Sequence, residues 1–134
     1  MKAPQPRWLS QLFETIDAKD AAKFARYFTA EGRFAFSSAP EVVGRGAVEQ
    51  FVGGFFDSIA GLSHTLDRVF AGPGGTLVSE GRVTYTRLDG STLEVPFCNV
   101  YSLDESQNAS PSDGPLIRDY RVYGDFSQLY AAAA

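Results

Sequence analysis

Apolar residues recur at Leu9, Leu12, Phe13 and Ile16, a spacing that predicts a helix over 8–18 with one buried face. Asp20 is a natural N-cap for a second helix that turns Phe24, Tyr27 and Phe28 inward and ends at Gly32. From Arg33 to Ser37 polar and aromatic residues alternate, so Phe34 and Phe36 share one face of a short strand. A loop over 37–46 leads to a third helix over 47–60, where Val48, Phe51, Val52, Phe55, Phe56 and Ile59 form a broad apolar stripe. Gly53-Gly54 inside it predicts close packing against a sheet. From Ser63 onward the pattern has a period of two, with strands expected at 63–70, 76–87, 92–103 and 115–124. Leu88-Asp89-Gly90-Ser91 is a hairpin turn, and the polar stretch from Ser106 to Gly114 a longer hairpin loop. Phe126 to Tyr130 reads as a short terminal turn before an alanine tail. Three helices followed by a four-stranded antiparallel meander give an α+β fold, with the helices packed on a curved sheet around a cone-shaped pocket.

Length and composition narrow the functional classes. The 134 residues suit a single domain spanning 1–134, and 44% apolar with 21% charged residues is ordinary globular composition. Eleven Phe and six Tyr are many for this length and can fill a core or line a pocket. The net charge of −4 and the lack of a basic stripe argue against nucleic acid. No apolar run reaches membrane-spanning length, and Met1 to Arg7 has no apolar signal core behind it, so a cytoplasmic protein is expected. The single cysteine, Cys98, excludes an internal disulfide and a Cys-rich metal site. There is no phosphate loop, no nucleophile elbow and no histidine pair for a metal, so no cofactor is expected. Asn108-Ala109-Ser110 fits a glycosylation pattern that matters only in a secreted protein and reads as chance.

Several segments resemble a known superfamily. Tyr27-Phe28-Thr29-Ala30-Glu31-Gly32 is similar to the F-A-E-D end of the second helix in nuclear transport factor two-like proteins. Gly44-Arg45-Gly46-Ala47-Val48-Glu49-Gln50-Phe51 resembles their G-R-x-A-V-E-Q start of the third helix. Gly81 to Gly90, Pro96-Phe97 and Arg121-Val122-Tyr123-Gly124-Asp125 resemble strands of SnoaL-like polyketide cyclases. The resemblance spans nearly the whole chain and implies the ketosteroid isomerase-like, cystatin-like roll and a homodimer formed on a sheet face. It does not carry over the known catalytic sets. The isomerase's base falls at Phe36, its oxyanion-hole tyrosine at Leu12 and its protonated aspartate at Asn99. In limonene epoxide hydrolase the arginine falls at Arg82, but the two aspartates fall near Thr84 and Arg121. Its tyrosine and asparagine fall near Phe34 and Phe36. The pocket aspartate of SnoaL-like cyclases has Asp119 as its nearest match.

The residues themselves point to four polar groups. His64, the only histidine, is in phase with Leu62 and Leu66 and should point inward, where it could serve acid–base chemistry or be a satisfied core histidine. Arg82, in phase with Glu80 and Thr84, would need a carboxylate if buried, and Asp119 is the expected partner; a solvated sheet surface is the plain alternative. Asp119, Arg121 and Tyr123 share one face of the last strand, either the pocket face or an outer, dimer-forming face. Asn99, in phase with Phe97 and Tyr101, could donate to a ligand carbonyl or satisfy a cross-strand bond. Cys98 points the other way. The expectation is a cofactor-independent isomerase, cyclase or dehydratase acting on a small apolar carbonyl compound. His64, Asp119 and Arg82 would be catalytic; Asn99, Phe34, Phe36, Phe97, Tyr101, Thr84, Arg121 and Tyr123 would bind substrate. The alternatives are a non-catalytic ligand-binding module and a dimeric interaction module of the same fold.

Overall fold

The computed structural model describes residues 5–106, 111, 112 and 114–129. Helix α1 (Arg7–Asp17) buries Leu9, Leu12, Phe13 and Ile16, the predicted stripe. Each side chain so buried contributes roughly 1.5–3 kcal/mol of transfer free energy. Helix α2 (Ala21–Ala25) starts at Asp20, whose side chain accepts a hydrogen bond from the Lys23 amide. Strand β1 (Phe28–Phe36), the two-residue strand β2 (Val42–Val43) and helix α3 (Arg45–Asp57) follow. Strands β3 (Ile59–Ala71), β4 (Thr76–Arg87), β5 (Thr92–Asp104) and β6 (Leu116–Tyr123) form the meander, and a 3-10 turn over Ser127–Leu129 closes the described chain.

The strands form one sheet in the order β2-β1-β6-β5-β4-β3. All neighbours are antiparallel except β1 and β6. The sheet bends where β3 bulges between Leu66 and Arg68, opposite Gly81 of β4. A Cβ at Gly81 would sit 3.0 Å from the Thr65 carbonyl carbon and 3.1 Å from Leu66 Cα, so only glycine permits that approach. The bend wraps the inner face around the helices. There Phe24, Phe28, Phe34 and Tyr120 meet with ring centroids 5.3–6.3 Å apart, largely edge to face.

The structure bears out three helices on a curved, mostly antiparallel sheet and moves several boundaries. Tyr27 and Phe28 are buried as expected, but α2 ends at Ala25 and Phe28 already pairs with Ile117 of β6. Gly32 stops no helix. It lies inside β1 where the pairing with β6 shifts, pressed so close beneath Phe28 that a Cβ would come within 2.9 Å. The loop over 37–46 contains β2, whose Val42 pairs with Phe34. Helix α3 stops at Asp57 and Ile59 opens β3, because the apolar pattern there continues without a break through the change of element. Gly53 approaches Ala21 of α2 (3.7 Å for a built Cβ) rather than the sheet, and Gly54 meets nothing within 4 Å. Asn108-Ala109-Ser110, Asp113 and the tail from Tyr130 lie outside the described residues. Among the described residues no helix is long and apolar enough to cross a membrane.

Candidate functional site

The last residue of α1 and the first half of β3 make the first polar pair. On α1, Phe13 and Asp17 stand one turn apart on one face. His64 meets both: its ring centroid lies 4.8 Å from that of Phe13, and its Nδ1 lies 2.6 Å from Asp17 Oδ1. The other carboxylate oxygen, Oδ2, accepts the His64 backbone N–H at 3.1 Å. Asp17 therefore grips both the backbone and the ring of one residue. With a carboxylate accepting at Nδ1, that nitrogen donates, and Nε2 is left as the free, basic nitrogen. Only 10% of the His64 side chain is exposed, and it lines an internal cavity with Phe97, whose ring centroid is 5.4 Å away.

One inward position further along β5, about 7 Å from Phe97 by strand geometry, stands Asn99, only 2% exposed. Its Nδ2 donates to the hydroxyls of Tyr101 and Tyr120, each at 3.3 Å. Tyr101 is bonded in turn to Ser79 at 2.7 Å, and Ser79 is fully buried. Burial drives the Tyr101 hydroxyl up to about 12, although the bonds from Ser79, Asn99 and Tyr120 pull the other way. Burial also raises Tyr120 well above the usual tyrosine range, with the neighbouring Tyr101 adding to it. Both are held as neutral phenols. Both amide hydrogens of Asn99 are thus engaged by protein groups, and its Oδ1 is buried with no protein partner.

His64, Asn99 and Tyr120 share one cavity of about 50 Å³ between α3 and the inner sheet face. The expected Phe34, Phe36 and Phe97 line it. So do Phe51, Phe55 and Phe126, which the sequence reading did not place there. Tyr101 is buried but does not line the cavity; it supports Asn99 and meets Trp8 edge-on at 6.3 Å.

Arg82, Thr84, Asp119, Arg121 and Tyr123 do not join this cavity. Residues paired across a sheet share a face. His64 pairs with Val83, so Val83 points inward and its neighbours Arg82 and Thr84 point outward. Tyr101 pairs with Tyr120 and Ser102 with Asp119, so Tyr120 and Val122 face the cavity while Asp119, Arg121 and Tyr123 face out. Arg82 is bidentate to Asp67 (3.1 and 3.0 Å) and reaches Glu94 at 3.4 Å; the bond and charge of Asp67 hold the guanidinium firmly protonated. Arg121 Nε lies 3.1 Å from Asp119 Oδ1, and its Nη2 lies 2.7 Å from Glu41. Arg68 pairs with Glu80 on the same face. The expected His64–Asp119–Arg82 set is not assembled. Cys98 lies on the outer side, with burial raising its thiol, as an unreactive cysteine would.

Two functional candidates had weak sequence signals. Asp17 ends a helix, where the negative end of the helix dipole disfavours a carboxylate. It also lies four residues after the buried Phe13, and together these marked it as needing a donor. Tyr120 looked like a core aromatic, and its hydroxyl gained meaning only through its neighbours on β5.

The sequence profile of the SnoaL-like domain family matches residues 9–109. None of the curated proteins matches the chain in sequence. Among solved structures, ActVI-ORFA from Streptomyces coelicolor is similar with a TM-score of 0.72 and 21% identity, covering 88% of this chain and 92% of its own. A protein of ketosteroid isomerase-like fold from Catenulispora acidiphila, bound to trimethylamine, gives 0.74 at 11% identity, covering 90% and 86%. SalBIII, an epoxide hydrolase/cyclase-like enzyme of pyran ring formation in the polyether salinomycin, gives 0.69 at 14% identity, covering 89% and 88%. At these identities the likeness is one of fold.

Proposed function

The chain belongs to the SnoaL-like domain family, and on that premise we propose that it is a cofactor-independent acid–base enzyme acting on a small apolar carbonyl compound, by isomerisation, cyclisation or dehydration. The observation that carries this reading is the Asp17–His64 pair, 2.6 Å apart, presenting a basic Nε2 to an aromatic cavity. His64 Nε2 takes a proton from the carbon next to the carbonyl and returns it elsewhere on the substrate. Asp17 orients the ring and stabilises the imidazolium that forms in between. The carbonyl oxygen is received by the Tyr120 hydroxyl. Asn99 donates into the Tyr120 oxygen, and the phenol proton, which in the free site is bonded to Tyr101, turns toward an oxygen that is becoming negative. The aromatic walls exclude water, which strengthens both interactions. Here Asp17 replaces Asp119 as the carboxylate of the mechanism, and Tyr120 replaces Asn99 as the donor to the substrate.

Deuterium exchange at the α-carbon of small cyclic ketones, followed by NMR, tests the reading without knowledge of the natural substrate. The wild type should accelerate exchange, and His64→Ala should lose roughly 10²–10⁴-fold of that acceleration. Asp17→Asn, which spares the base but loosens it, should lose about 10²-fold. Equal exchange with wild type and His64→Ala would sink the mechanism. A second reading, non-catalytic ligand binding, draws on the absence of any carboxylate among the cavity-lining residues. It predicts ketone binding without accelerated exchange in any variant.

A further inference from the structure

The cavity that holds His64 is smaller than the molecules its walls suit. An aromatic lining favours a ring, and a cavity that takes up benzene measures about 150 Å³. The inner space is about 50 Å³. Beside it lies an outer cleft of about 420 Å³, lined by Ser37, Ser38, Ala39, Asp125 and Ser127 as well as by phenylalanines. Phe36, Phe51 and Phe126 line both spaces, so these three rings form the wall between them. Phe36 lies 4.5 Å from Phe126 and 5.1 Å from Phe55, ring centroid to centroid.

The frame around these rings is tied by particular contacts. Ser37, directly after Phe36, has φ +53, a left-handed backbone that non-glycine residues avoid. It is held there by its N–H on the Val122 carbonyl (2.8 Å) and its Oγ on the Gly124 carbonyl (3.1 Å), which tie the end of β1 to the end of β6. At Gly124 a Cβ would come within 2.9 Å of the Phe126 ring and of the Pro96 carbonyl, so the lack of a side chain there lets Phe126 fold back over the cavity. Phe36 and Phe51 are only half-buried and have the cleft to move into.

We propose that Phe36, Phe51 and Phe126 are a gate of aromatic side chains that sets substrate size, resting on the reading of the inner cavity as the reacting site. Closed, it leaves His64 a space too small for a ring. Open, it joins cavity and cleft and admits a compound with a ring-sized apolar head. Association is then limited by the open population, which for such minor states is of the order of 0.1–10%.

Stopped-flow fluorescence with 2-naphthol as the probe measures this. Removing a gate ring makes the open state permanent, so Phe126→Ala and Phe51→Ala should each raise the association rate at least about tenfold. Val83→Ala, which enlarges the cavity from the sheet side without touching the gate, should leave that rate near wild type while slowing dissociation. If Phe126→Ala fails to fold, as judged by circular dichroism, the half-buried Phe51 carries the test. Equal association rates in wild type and the folded gate variants would overturn the proposal. So would an equal rise in Val83→Ala, or no binding in any folded protein. The two readings fail separately: ketone exchange in His64→Ala bears on the acid–base mechanism, and association rates in Phe126→Ala and Phe51→Ala bear on the gate.

Discussion

Alkaline pH should unfold this protein through two particular tyrosines. An ordinary tyrosine ionises near pH 10, whereas burial pushes Tyr101 up to about 12 and moves Tyr120 in the same direction. A group whose folded-state pKa is raised contributes stability that is fully present below its unfolded pKa. That contribution is lost as pH rises through the folded one. For Tyr101 the window runs from about pH 10 to about pH 12, and two units at about 1.4 kcal/mol each make about 2.7 kcal/mol. While both tyrosines stay protonated only in the folded state, the slope is about 2.7 kcal/mol per pH unit. Against a typical total of about 5–15 kcal/mol, that is a large share within one or two units. Tyr101→Phe separates this effect from general alkaline damage. It should cost about 1–2 kcal/mol at neutral pH, because Ser79 and Asn99 lose a partner. It should also flatten the alkaline slope by about 1.4 kcal/mol per pH unit. Urea unfolding at a series of pH values, read by circular dichroism with tyrosinate absorbance alongside, measures both quantities. An unchanged slope in Tyr101→Phe, or wild-type stability that stays level through this range, would refute the account of the buried network.

Further outcomes follow from the same contacts. Gly81→Ala places a methyl group against the Thr65 backbone at the bend of the sheet and should destabilise the fold by about 1–3 kcal/mol in urea unfolding. Arg82→Ala and Asp119→Asn remove ion-pair partners on the outer face, away from the cavity; both should leave ketone exchange and 2-naphthol association near wild type. A loss in either comparable to that of His64→Ala would mean that the outer face takes part in the chemistry.

Much of the fold was legible because its signals are local. The stripe Leu9, Leu12, Phe13, Ile16 needs only a helical period, and Asp20 declares a helix start by its capping chemistry. The failures lie where a residue serves a distant one. Gly32 reads as a helix stop in sequence, yet its purpose is to lie beneath Phe28 and beside the Ile117 carbonyl, a contact across 85 positions of chain. Val42 and Val43 form a strand only because Arg33 and Phe34 offer an edge. Asp17 becomes a candidate for the site only when β3 returns along α1 and delivers His64.

The misplacement of Arg82, Thr84, Asp119, Arg121 and Tyr123 has a single origin, which is parity. Any reading that faces His64 and Asn99 inward decides the outward residues as soon as the strand registers are known. The turn between β4 and β5 supplies one register. Treated as a two-residue turn, Asp89-Gly90 would pair Leu88 with Ser91. The structure instead closes a three-residue loop, with Arg87 N–H bonded to the Ser91 carbonyl at 2.8 Å and Gly90 at φ +88. That one-residue difference sets Asn99 opposite Ser79 and Pro96 opposite Arg82. With Asn99 inward, Ser79, Gly81 and Val83 are inward and Arg82 must face water, where Asp67 and Glu94 meet it. The same logic across β5 and β6 turns Asp119 out and Tyr120 in. A register slip of one residue exchanges the two faces of a strand, and here it exchanges a surface arginine and aspartate for a cavity valine and tyrosine. The ion pair read from the sequence beside a histidine becomes, with the registers in place, a histidine held by a helix-terminal aspartate and sharing its cavity with a neutral phenol.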